Sequence, residues 1–410
     1  MLPQAGQRGT RVTRTLGEKL NGARQRSHSI RSNIFPSANF RSQRGLMMLC
    51  SATVVLLLGI TAQHGRRHIG TFSHISVIFP ATPPRALVAV PCSPSPGDTF
   101  GMQRNPRHLL SSADITPEET ARLLDLAESL KRQPRPVLKD RQLALLFEKP
   151  SLRTRVSFQV AMRHLGGETI YLAPQEVGLG EREAIKDVSR VLARYVDVVA
   201  VRTFGQEIVE EYAEFSAIPV INALTNEEHP CQALADLLTL QEKVGTLKGF
   251  SIAFIGDGNN VASSLVLTAT ALGMDVRMAA PKGYGLPEGV VAEASARAAA
   301  TGGRLTLVND PREAAAGANS VYTDVWTSMG QEREAERRRI AFAGYQLNSE
   351  LMEGAAPGAF VMHDLPAHRG EEITDEAIES ANSIVFDQAE NRVWAQAAVV
   401  VFLLGLDQQL

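Results

Sequence analysis

Short β-rich runs alternate with amphipathic helical stretches, twice over, and no other feature of this chain constrains its fold as strongly. Parallel strands can be joined only through long crossovers, usually helices, so this alternation predicts parallel sheets covered by helices. The first series has strand candidates at 143–147, 169–172, 196–201 and 219–221. A helix precedes it. Thr116, Pro117 and Glu119 stand at N-cap, N1 and N3 of a stretch whose apolar face is Leu123, Leu124, Leu126, Ala127 and Leu130, a capping box feeding one buried stripe. After an amphipathic segment at 229–244, the second series offers strands at 251–255, 275–279, 305–308, 320–323, 359–362 and 384–386. The apolar stretch 394–404 reads as a closing helix that could pack on either half. The expected fold is α/β, with two doubly wound parallel-sheet domains and the ligand crevice between them at the carboxyl ends of the strands. The expected bounds are 102–243, completed by a C-terminal helix at 388–410, and 244–387.

Composition matters chiefly for what precedes this body. The 410 residues are 44% hydrophobic and carry a net charge of -2, so no whole-chain basic field points to nucleic acid. Residues 1–101, however, hold 12 Lys and Arg against only Glu18 and Asp98. Residues 1–44 have no sustained apolar period and are expected to be disordered. From 45 to 65 no residue is charged, with an apolar run at 46–60 flanked by arginines, and six prolines follow before position 101. Three readings fit this extension: an anchor or export signal, an organelle transit segment, or an inert upstream extension of a chain whose natural start is Met102. Cys50, Cys92 and Cys231 are too few and too scattered for a disulfide framework, and a cytoplasmic, reducing setting is expected for the body.

Polar clusters sit where strands end. Ser151, Arg153, Thr154 and Arg155 open a helix after the 143–147 strand. Free amides, the helix dipole, hydroxyls and guanidiniums together suit phosphate, although a capped helix with solvated arginines has the same letters. His229 and Gln232, three apart, open another helix. Gly256-Asp257-Gly258-Asn259-Asn260 invites a dinucleotide reading that fails on detail, because Val261 stands where the third glycine belongs and the next strand ends at Ala280-Pro281 without an acidic residue. That loop is better suited to offering Asn259 and Asn260 to a small polar ligand, or to making a tight turn. Asp324, in Asp-Val-Trp-Thr-Ser-Met-Gly, could pair with an ammonium group, and Leu365-Pro366 could present a fixed carbonyl. Arg392 heads the last helix.

Taken together, Ser151 to Arg155, His229-Pro230-Cys231-Gln232 and Ala389-Glu390-Asn391-Arg392 resemble the aspartate/ornithine carbamoyltransferase family. Asp324 to Gly330 and Gly256 to Asn260 are similar to its ornithine-acting branch. The resemblance runs in order over about residues 105–406 and leaves out only the extension. It implies transfer of the carbamoyl group of carbamoyl phosphate to the δ-amine of L-ornithine, giving citrulline and phosphate. Ser151, Leu152, Arg153, Thr154 and Arg202 would hold the phosphate end, His229 and Gln232 the carbamoyl end, and Arg392 would complete the site. Arg153, Thr154, His229, Arg392 and Asp364 are the implied catalytic set. Asn260, Asp324, Ser328 and Met329 would bind ornithine, and the Leu365 carbonyl would accept a hydrogen bond. The resemblance implies no metal or organic cofactor, and trimers, or multiples of trimers, with sites at subunit boundaries. Two departures stand out: Gly178 replaces the family's usual Gln in a loop at 176–183 expected to reach a neighbouring subunit, and Asp364 replaces its usual Cys. Other acceptors (aspartate, putrescine, an acylated ornithine) and a membrane-tethered, non-catalytic homologue are the competing readings. Asp324 disfavours aspartate, whose second carboxylate would need cations.

Overall fold

The computed structural model describes residues 106–409. The expectations made for residues 1–101 lie outside the described residues. In the first half, α1 (Pro117–Arg132), β1 (Gln142–Phe147), α2 (Leu152–His164), β2 (Glu168–Leu172) and α3 (Pro174–Val177) lead to α4 (Ile185–Leu192) and β3 (Val198–Arg202). Next come α5 (Gln206–Glu214), β4 (Val220–Leu224) and α6 (Pro230–Val244). The second half runs β5 (Ser251–Ile255), α7 (Asn260–Ala271), β6 (Asp275–Ala279), α8 (Glu288–Thr301), β7 (Arg304–Val308), α9 (Pro311–Ala315) and β8 (Ser320–Tyr322). It ends with α10 (Ala335–Ala341), α11 (Ser349–Glu353), β9 (Phe360–Met362), α12 (Asp375–Ile378) and α13 (Val385–Leu403).

The first sheet has order β2-β1-β3-β4 and the second β7-β6-β5-β8-β9, with every pairing parallel. Each order reverses once, between β1 and β3 and between β5 and β8. At such a switch point, neighbouring strands send their following loops in opposite directions and leave a crevice at their carboxyl ends. The 148–151 and 203–205 loops border one crevice, and the 256–259 and 323–331 loops border the other.

Local chemistry accounts for the elements. The Thr116 hydroxyl accepts from Glu119 N at 3.2 Å while the Glu119 carboxylate accepts from Thr116 N at 3.0 Å, the reciprocal box that starts α1. β1 and β3 are buried along almost their whole length, as strands covered on both faces must be. α6 is buried continuously from Pro230 to Leu240, because it lies between the two halves and packs against α1, α7 and α13. One apolar cluster therefore runs through both halves, from Leu143 and Phe147 through Leu234 to Leu265 and Val400. Separate clusters lie on the other face of each sheet. No helix among the described residues is long and apolar enough to cross a membrane.

One expected strand is not a strand. Residues 384–386 combine β-branched and aromatic side chains, yet only Ser383 makes an isolated bridge to Val361, with Ile384 N donating to Val361 O at 3.0 Å. The chain then turns into α13 at Val385, whose side chain is buried while Phe386 points outward. The helical period of the following residues, closed against α6, α1 and α2, overrides the local β propensity. Thr116→Ala should cost about 1 kcal/mol, the usual value of an N-cap, read as a lower urea midpoint.

Candidate active site

The two switch points face one cavity of about 1170 Å³. It brings together nearly every residue singled out in the sequence: Ser151, Leu152, Arg153, Thr154, Arg202 and His229 from the first half, and Asn260, Asp324, Ser328, Met329, Asp364 and Leu365 from the second. Arg392 arrives from α13.

Ser151 is the N-cap of α2, its hydroxyl accepting from Thr154 N at 3.3 Å and donating to the Thr154 hydroxyl at 3.0 Å. The open end of that helix therefore faces the cavity, with Arg153 beside it. Arg202 closes β3 directly opposite Phe147, which carries its guanidinium to the same rim. Arg392 donates through one Nη to Gln232 Oε1 at 2.7 Å and through the other to the Thr154 hydroxyl. Three stretches far apart in sequence are thus joined by one guanidinium. Gln232 is the exception among the expected ligands: it is fully buried and does not line the cavity, reaching it only through Arg392.

The electrostatics of this half are unfavourable without a ligand. Burial first, and then the neighbouring Arg392 and Arg153, push Arg202 down to about 10. Burial, together with Arg392 and Arg202, holds His229 well below the usual imidazole range, so its ring is neutral near pH 7. The Nε atoms of Arg153, Arg202 and Arg392 and Nδ1 of His229 are buried and lack hydrogen-bond partners within the protein. Buried donors are rarely left unmet in native proteins. Three guanidinium donors around one cavity, on cations that repel one another, with the His229 ring beside them, describe a place for a multiply charged anion.

The second half has the opposite sign. Asp324 accepts from Asn259 Nδ2 at 2.7 Å and from Val325 N at 2.7 Å. Asp364 is buried, its Oδ1 has no partner, and burial followed by the nearby Asp324 raises its pKa well above the carboxylate norm. Leu365 adopts a left-handed φ of 62°, held by its N donating to His363 Nδ1 at 2.9 Å while His363 Nε2 faces Glu372 at 3.1 Å. Asn260 Nδ2 donates to Thr225 O at 2.6 Å, linking α7 to the loop after β4. Asp257 is not aimed at ligand, because it pairs with Arg338 at 2.7 Å and so ties down the loop carrying Trp326. Gly258 is required by close approach: a Cβ there would lie 2.3 Å from the Gly285 backbone. Two groups of described residues bring three potential metal donors together, Asp324/His363/Asp364 and His368/Glu371/Glu372. In the first, both His363 ring nitrogens are already engaged.

Sequence reasoning passed over Lys149. It is buried at the cavity wall, donates to Asn226 Oδ1, and lies 4.5 Å over the Phe204 ring. Its place just before Ser151 in the phosphate-type motif was the available signal.

Two family models match the chain: the aspartate/ornithine carbamoyltransferase carbamoyl-P binding domain over residues 107–242, and the Asp/Orn binding domain over 248–403. The chain belongs to the aspartate/ornithine carbamoyltransferase family. It is 50% identical over 304 residues to an ornithine carbamoyltransferase of Pyrococcus abyssi, spanning 73% of this chain and 96% of that one. It is 49% identical over 304 residues to an ornithine carbamoyltransferase of Pyrococcus furiosus described as anabolic, with the same shares of 73% and 96%. A solved ornithine carbamoyltransferase structure from P. furiosus superposes with a TM-score of 0.71 at 49% identity, covering 73% of this chain and 97% of that one.

Burial, then repulsion from Arg202, push Lys149 down to about 8. It is charged below that value and neutral above it, so the cavity loses a cation as pH rises. Inorganic phosphate should accordingly bind more weakly as pH passes about 8, and calorimetry on Lys149→Met should show that dependence flattened.

Proposed function

We propose that this chain is an ornithine carbamoyltransferase, forming L-citrulline and phosphate from carbamoyl phosphate and L-ornithine. The observation that carries the reading is the set of unpartnered buried Arg153, Arg202, Arg392 and His229 nitrogens facing a cavity whose far wall is acidic. A dianion belongs at one end and an amino acid's ammonium at the other.

In this reading Ser151, the Leu152 and Arg153 backbone, Thr154 and Arg202 hold the phosphate. Arg153, Thr154, His229 and Arg392 surround the carbonyl oxygen on which charge develops, so donors are in place before attack. Gln232 acts from behind Arg392. The Leu365 carbonyl faces the carbamoyl amide, and Asn260 takes the α-carboxylate. Asp324 and Ser328 take the α-ammonium, with Met329 closing the rim. The δ-amine attacks the carbonyl carbon, and the tetrahedral intermediate breaks its C–O bond to release phosphate. An amine normally protonated near neutral pH must first lose a proton, and Asp364 is assigned to receive it. Burial beside Asp324 raises the Asp364 carboxyl, bringing its proton affinity closer to that of an amine. The transfer contains no redox step and calls for no electron sink.

Arginine synthesis is the direction assigned, by similarity to the relative described as anabolic. A reducing, cytoplasmic setting for the body is assigned on the low cysteine count of the sequence. Assembly into trimers is supported by exposed Leu152, Val156, Ile170, Val191 and Tyr195. All lie in one stretch of the first half that brackets the 176–183 loop, where Gly178 ends α3 in a left-handed turn.

Purified full-length chain should form citrulline from carbamoyl phosphate and ornithine in preference to aspartate, putrescine or acetylornithine. Arg153→Ala should lower turnover by about 100-fold or more with the circular dichroism spectrum preserved; wild-type rates would defeat the phosphate assignment. Asp364→Cys should change the ornithine KM and the pH profile of kcat/KM, and an unaltered profile would remove Asp364 from the mechanism.

A further inference from the structure

Asp236 lies one helical turn beyond Gln232 on α6, is completely buried, and does not line the cavity. An isolated carboxylate in such a place is costly unless its lone pairs are occupied. Here three donors converge on it from three elements: Gln232 Nε2 at 2.7 Å, Gln388 Nε2 of α13 at 2.7 Å, and the Tyr322 hydroxyl of β8 at 3.0 Å. Two of those donors belong to primary amides, each with one donor end and one acceptor end. With its NH2 held by Asp236, Gln232 can turn only its oxygen toward Arg392, and it does so at 2.7 Å. The same guanidinium then reaches the Thr154 hydroxyl at the mouth of α2. Gln388, oriented in the same way, accepts from His363 N at 3.1 Å and steadies the turn that carries Asp364 and Leu365.

We propose that Asp236 is a positioning residue for the carbamoyl phosphate site. By fixing the direction of the Gln232 amide it places an acceptor, rather than an NH2 group, against Arg392, and so holds that guanidinium on Thr154. A flipped Gln232 would set a donor against a cation already repelled by Arg153. Tyr322 precedes Asp324 by two residues on the same strand end, so this carboxylate is also the point where the ornithine half touches the arginine clamp. The inference rests on the reading that Arg392 serves carbamoyl phosphate.

Asp236→Leu keeps roughly the size but removes both acceptor oxygens, so the NH2 groups of Gln232 and Gln388 lose the partner that fixes their direction. In the full-length chain this variant should raise the carbamoyl phosphate KM about tenfold or more, with a smaller change in the ornithine KM. The decisive measurement is a cycle with Arg392→Ala, read as inorganic phosphate affinity by calorimetry. If Asp236 acts through Arg392, Asp236→Leu weakens phosphate strongly in the wild-type background and by less than about twofold in the Arg392→Ala background. Equal effects in both backgrounds, or an unchanged KM, would overturn the inference. Should Asp236→Leu not fold, Gln232→Leu removes the acceptor that Asp236 is argued to aim at Arg392, and the carbamoyl phosphate KM should still rise several-fold; no rise refutes the role. Wild-type phosphate affinity in Arg392→Ala alone would instead refute the underlying site assignment.

Discussion

Mutual repulsion among Arg153, Arg202 and Arg392 is the constraint around which the molecule is arranged. Burial disfavours the charged forms of Arg202 and Arg392 first, and the neighbouring guanidiniums of the same cavity add to the cost. They are held together by the rigid parts of the fold: the start of α2, the end of β3, and the interior of α13. Gathering these charges costs stability, and in the proposed reading a doubly negative substrate would offset that cost on binding. In the proposed reaction the same pre-arranged charge would stabilise the oxyanion as it forms, without reorganisation at that moment.

The burial of α6 and α13 follows from this requirement. Arg392 must approach Thr154 from the far end of the chain, so its helix has to pack deeply, and both helices carry polar side chains where apolar ones would otherwise fit. Asp236, Gln232, Gln388 and Asn391 are all fully buried, yet each has partners, such as Asn391 Nδ2 donating to the Thr239 hydroxyl at 3.0 Å. A polar network of this kind is favourable only when complete. Its proposed role is to set direction: at Gln232 it decides which end of the amide faces Arg392.

Across the cavity, the second half meets a different demand. It must attract an ammonium group while tolerating an uncharged amine next to the reacting carbon. Asp324 is anchored by Asn259 and by its own backbone neighbour, whereas Asp364 keeps a free oxygen and a raised pKa. In the proposed mechanism these two carboxylates divide the work of binding and proton acceptance. Leu365, in a backbone conformation that costs about 1–3 kcal/mol for a residue with a Cβ, stays there because buried His363 and Glu372 hold it.

The sequence determined the class of fold, nine of the ten expected strands to within about three residues at their ends, the capped start of α1, and, through the family resemblance, the expected site residues that line the cavity apart from Gln232. Periodicity and helix-start chemistry are local properties, and the motifs lie at strand ends where a doubly wound sheet must place its ligands. Tertiary structure decided the rest. Residues 384–386 became a helix start because packing against α6 outweighs β propensity. Gln232 retreated behind Arg392, Lys149 joined the cavity wall, and Asp236 became a hub. Each of these outcomes depends on which distant side chain arrives to fill a lone pair or cover a face. One-dimensional spacing carries no record of such meetings, because they arise only when the two halves close on each other.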